Sequence, residues 1–112
     1  MEGDMVEEYF DNSDIRILPK EALGLIKNYF EDNMSKYLLK KEYLHSPYWS
    51  IAFSNNEINI LIEGDVGFDA KISIENIDFP LWQFDRRVAN TTKTNSKNIL
   101  FVLDTIKRLL QE

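Results

Sequence analysis

Residues 48–75 read YWSIAFSNNEINILIEGDVGFDAKISIE, and the period of this stretch decides the fold. Trp49, Ile51 and Phe53 alternate with Tyr48, Ser50, Ala52 and Ser54. After Asn55-Asn56, a two-residue turn because Asn tolerates positive φ, Ile58, Ile60 and Ile62 alternate with Glu57, Asn59, Leu61 and Glu63. Gly64-Asp65-Val66-Gly67 makes a second turn, and Phe68, Ala70, Ile72 and Ile74 alternate with Asp69, Lys71, Ser73 and Glu75. Strict alternation is the mark of a strand with one buried face. Asn76 turns the chain again, and Ile77, Phe79 and Leu81 then alternate with Asp78, Pro80, Trp82 and Phe84. Pro80 removes a ladder donor and assigns this segment to a sheet edge. Successive strands joined by short turns form an antiparallel meander, here of three to four strands.

Upstream the period changes. Leu23, Ile26, Phe30, Met34 and Tyr37 form one apolar stripe, so Pro19 to about Lys36 reads as a helix with proline at its first position and Glu21 in its first turn. Gly24 weakens that helix and suggests a close packing contact. Leu38 to Ser46 fits either a continued helix or a strand, and Pro47 ends both. Downstream, residues 85–95 are a polar loop. Thr94 or Ser96 caps a last helix to about Gln111, buried through Ile99, Val102, Leu103, Ile106, Leu109 and Leu110. Residues 1–14 hold six acids and no base, so this segment is expected to be poorly ordered. The expected architecture is a single α+β domain over residues 1–112, a meander with an N-terminal and a C-terminal helix packed on one face.

The 112 residues suffice for one core without staples. No run reaches the roughly 18 apolar residues of a membrane helix. The absence of cysteine excludes disulfides, iron–sulfur clusters and thiol catalysis. The net charge of −6 disfavours direct contact with nucleic acid or an anionic membrane. It suits solubility or a basic partner. The start Met-Glu-Gly-Asp-Met-Val-Glu-Glu has neither the basic nor the apolar region of a secretory signal, so a cytoplasmic protein is expected. Many Asn, Ile and Lys against few Ala and Arg resemble the usage of an AT-rich bacterial or phage genome. Residues 1–35 and 55–85 each carry −6, whereas residues 36–54 carry +2 and residues 86–112 carry +4.

If the helices cover the face of Trp49, Ile51 and Phe53, the other face keeps Tyr48, Glu57, Asn59, Leu61, Glu63, Asp69, Lys71, Glu75, Asp78, Trp82 and Phe84. Carboxylates beside large aromatics are the makings of a protein interface. The competing expectation is that residues 1–14 or 38–46 fold over this face and bury Trp82 and Phe84. Catalytic signals are sparse. His45, the single histidine, reads as a polar group on a surface loop, and one histidine with no cysteine cannot build a tetrahedral zinc site. Glu63-Gly64-Asp65-Val66-Gly67-Phe68-Asp69 reads as an acidic hairpin turn without EF-hand spacing. Asp85-Arg86-Arg87 reads as a local ion pair.

In size, charge and α+β layout the whole chain resembles the small acidic immunity proteins that bacteria make against their own toxins. That resemblance implies a cytoplasmic, non-catalytic inhibitor without cofactor, which neutralises a basic partner such as a toxin nuclease. Glu57, Glu63, Asp69, Glu75 and Asp78 would steer and pair with the partner, and Trp82 and Phe84 would anchor it. One alternative is a self-associating accessory or structural subunit, a homodimer. Another is a metal-dependent enzyme. Asp69-Ala70-Lys71 resembles the D/E-x-K element of restriction-endonuclease-like nucleases, which implies an upstream acid, Glu57 or Glu63, beside a metal-bound phosphate.

Overall fold

The computed structural model of the chain describes residues 16–90 and 93–110. Helix α1 spans Pro19–Asn33, strands β1 to β5 span Leu38–His45, Tyr48–Asn55, Ile58–Gly64, Phe68–Ile74 and Ile77–Pro80, and helix α2 spans Ser96–Leu110. Two 3-10 turns, Leu81–Gln83 and Arg86–Asn90, lie between β5 and α2. The class is α+β, and the sheet is an antiparallel meander in the order β1-β2-β3-β4-β5. It has five strands rather than three or four. The additional strand is β1, formed by the stretch whose pattern fitted helix and strand alike. A register shift between Leu39 and Lys41 interrupts its alternation, which is why the period of two is not legible there.

Proline at the first helical position starts α1, and Glu21 Oε1 accepts a hydrogen bond from the Leu18 N–H at 2.9 Å. The helix stops at Asn33, earlier than the apolar stripe implies. Met34 leaves helical geometry, yet Met34 and Tyr37 remain buried because the chain turns back along the core. Gly24 lies against nothing: a Cβ built there meets no atom within 4 Å, which overturns the expected packing role. Helix α2 begins one residue away from both expected caps. Asn95 Oδ1 accepts from the Asn98 N–H at 2.9 Å and the Asn95 carbonyl from the Ile99 N–H at 3.0 Å, so Asn95 is the N-cap.

The sheet register sorts side chains into two faces. Trp49, Gly64 and Phe68 lie side by side, as do Ile51, Ile62 and Ala70, and Phe53, Ile60, Ile72 and Phe79. Nearly all of these enter one buried cluster with Leu23, Ile26 and Phe30 of α1 and Ile99, Val102, Leu103 and Ile106 of α2. Phe30 stacks on Phe53 with ring centroids 3.8 Å apart. Between the helices, the Tyr29 hydroxyl donates a short hydrogen bond to Asp104 Oδ1. Burial first, and then the Asp104 carboxylate, push that phenol far above its ordinary range.

The last strand departs from simple alternation. Ile77, expected among the covered residues, is exposed. After Pro80 the ladder ends and the chain coils, so Leu81 is carried inward and fully buried. Trp82 and Phe84 therefore do not continue the alternation of β5. Between β4 and β5 the turn residues Glu75 and Asn76 both have positive φ, the geometry of a tight two-residue hairpin.

Candidate functional site

The second face of the sheet carries Lys41, Tyr43 and His45 from β1, Tyr48, Ser50, Ala52 and Ser54 from β2, Asn59, Leu61 and Glu63 from β3, and Asp69, Lys71 and Ser73 from β4. Every one of these residues is half-buried or exposed. Residues 38–45 extend the sheet at its edge instead of folding over this face. Residues 1–14, the other expected cover, lie outside the described residues.

One end of the face is acidic and aromatic. Glu63 of β3 stands directly across from Asp69 of β4. The Tyr48 hydroxyl donates to Glu63 Oε1 at 2.9 Å, and the Tyr43 ring lies 5.6 Å from the Tyr48 ring. Gly64, Asp65, Gly67 and Phe68 complete a shallow concavity of about 450 Å³ around Tyr48, Glu63 and Asp69. Desolvation, and then the facing Glu63 charge, hold the Asp69 carboxyl above the ordinary carboxylate range, with Lys71 opposing. Two facing carboxylates repel, and a cation placed between them would relieve that repulsion.

The other expected contact residues are dispersed. Glu57 and Glu75 sit in turns at the opposite end of the sheet, where the Glu75 N–H donates to the Glu57 carbonyl at 3.2 Å. Asp78 is engaged already: Lys71 Nζ lies 3.2 Å from its Oδ2, and the Ser73 hydroxyl donates to its Oδ1. The Ser73 hydrogen bond, followed by Lys71, holds the Asp78 carboxyl below its ordinary range. Trp82 and Phe84 are exposed but stand beyond β5. The Phe84 ring lies 5.9 Å from Phe79, a neighbour of core-facing Ile72, which takes it away from the acidic end. Tyr43 and Asp65 were not singled out from the sequence as contact residues. Tyr43 was hidden by the bulge in β1, and Asp65 by its place in a turn.

Comparison of the chain with protein-family models, with curated proteins and with solved structures finds no match in any of the three.

The geometry bears on the remaining sequence signals as well. Asp69 and Lys71 share a face with Glu63, whereas Glu57 is remote, and the lysine is directed to Asp78. Among the described residues no group of three or more His, Cys, Asp or Glu side chains is arranged to hold a metal ion. His45 ends β1 across from Tyr48. Asp85 forms the local pair expected of its segment. Its oxygens accept from Arg87 Nε at 3.0 Å and Nη2 at 2.7 Å, and the Arg87 backbone N–H adds a third bond at 3.0 Å. These bonds hold the Asp85 carboxyl below its ordinary range. No helix among the described residues is long and apolar enough to cross a membrane.

Proposed function

We propose that this chain is a non-catalytic binding protein that neutralises a basic protein partner, in the manner of a cytoplasmic immunity protein acting on a toxin such as a nuclease. Both helices cover the face of Trp49, Ile51 and Phe53, and the opposite face receives the partner. The reading is carried by one observation. Glu63 and Asp69 face each other beside Tyr48 and Tyr43 on a sheet face that no described helix or strand covers, and neither carboxylate is ion-paired among the described residues. A Lys or Arg entering between them gains two charge-assisted contacts and removes an existing repulsion. The tyrosines offer apolar surface with a polar tip, the composition of an interface anchor. Asp65, at the rim of the same concavity, adds long-range steering.

The test is retention of a stoichiometric basic partner on the immobilised full chain, at low and at high salt. The wild type is expected to retain it in a salt-sensitive way. Glu63→Lys combined with Asp69→Lys should abolish retention at any salt. Glu57→Lys with Glu75→Lys, an equal charge change at the far end of the sheet, should weaken it only slightly. Equal loss from both pairs would reduce the effect to net charge, and unchanged retention after the first pair would overturn the assignment.

A further inference from the structure

A second surface is independent of the acidic face and differs from it in chemistry. All eight residues of β1 are exposed, including Leu38, Leu39, Tyr43 and Leu44. The strand pairs with β2 on one side and with no described strand on the other, so a row of backbone N–H and C=O groups is presented outward. Beside it, between β1 and α1, lies a groove of about 330 Å³ that is lined chiefly by apolar groups, among them Phe30, Phe53, Leu38 and Leu39. The charge here is opposite to that of the protein as a whole. Among the described residues Lys36, Lys40 and Lys41 have no ion-pair partner, whereas of the nearby acids Glu42 is occupied by Lys27 at 3.0 Å and Glu31 lines the groove.

We infer that β1 is a strand-addition edge for an extended, acidic and apolar segment of a partner protein. Backbone pairing along β1 would supply affinity. Carboxylates opposite Lys40 and Lys41 would supply charge complementarity, and alternate apolar side chains would meet Leu39 and Leu44 on the groove side. The same lysines select against a second copy. Two β1 strands related by a two-fold axis pair residues of the same face, which places Lys41 against Lys41 or Glu42 against Glu42 near the axis. Like charges there disfavour self-pairing, and an acidic strand turns the Lys41 contact into an attraction.

The probe is an acetylated, amidated eight-residue peptide of alternating Glu and Val, with a Lys–Val peptide of the same pattern as control. Binding to the isotope-labelled full chain is followed through backbone amide resonances. Saturable shifts confined to residues 38–45 and the groove around Phe30 are expected with the Glu–Val peptide alone. Lys40→Glu with Lys41→Glu should weaken that binding at least tenfold while leaving the amide spectrum of α1, α2 and β3 unchanged. The inference is overturned by equal binding of the two peptides, or by shifts centred on Glu63 and Asp69. It is also overturned if the outward-pointing β1 amides, those that do not donate to β2, are already protected from exchange in the peptide-free chain. Concentration dependence of that protection would identify a second copy on the edge, and independence would identify this chain's own acidic residues 1–14.

Discussion

Gly64→Ala adds one methyl group, and the structure assigns it a large effect. Gly64 pairs across the sheet with Trp49, and the indole lies close against the glycine. A Cβ at this position would stand 2.5 Å from Trp49 Cε2 and Nε1 and 2.6 Å from Cζ2, against about 3.5–4.0 Å for a relaxed carbon contact. The indole cannot withdraw freely. Trp49 is 1% exposed, and its ring lies 6.4 Å from that of Phe68. Backbone strain does not contribute, because no described glycine has positive φ. Overpacking of this kind costs about 1–3 kcal/mol, and the smaller entropy of the unfolded alanine chain offsets about 0.4–1 kcal/mol. A net loss of about 1–2 kcal/mol corresponds, at about 2.1 cal/mol/K per residue, to a melting temperature lower by about 4–8 °C. Thermal unfolding followed by circular dichroism at fixed pH measures it. In a W49F background the smaller ring vacates the space, and most of the penalty should vanish, a coupling of about 1 kcal/mol. An unchanged or raised melting temperature for G64A, or a full penalty persisting with W49F, would refute the argument.

The same substitution should have the opposite sign at Gly24, where the added methyl meets nothing: G24A is expected to raise stability by about 1 kcal/mol through helix propensity, read from urea unfolding. Asn95→Ala removes the cap of α2 and should cost about 1 kcal/mol, whereas Ser96→Ala, one residue into the helix, should be nearly neutral in the same assay. The Asp85 carboxyl is depressed when folded, so its contribution is complete above the unfolded value near 3.9 and is lost as pH falls through the lower folded value. Asp85→Asn should therefore cost about 1–2 kcal/mol at pH 7 and flatten the loss of stability below about pH 4. Asp69 runs the other way. Its raised carboxyl makes the ionised form a burden, lost on acidification and reduced by solvent screening because Asp69 is exposed, so Asp69→Asn should raise the melting temperature slightly at pH 7 and less at pH 4.

Period and punctuation in the sequence determined the α+β class, the antiparallel order of the strands from Tyr48 onward, and the apolar stripes of both helices, apart from Leu109, expected in the buried stripe of α2 but exposed at its end. These features depend on residues close together in the chain, where alternation or a 3.6-residue repeat directly states which side chains share a face. Strand β1 was not legible, because the bulge at Lys40 breaks its alternation and its residues are exposed on both faces. The acidic residues near the site were legible as a group, but their partition was not. Glu63 faces Asp69 only because β3 and β4 pair in a particular register, and Lys71 is taken by Asp78 only because β5 folds back beside β4. Trp82 and Phe84 left the face because Pro80 ended the ladder and the burial of Leu81 outweighed a further step of alternation. Local pattern thus determined what each segment is, while cross-strand register and competition for the core, which act between residues distant in sequence, decided which charges stand together and which are already paired.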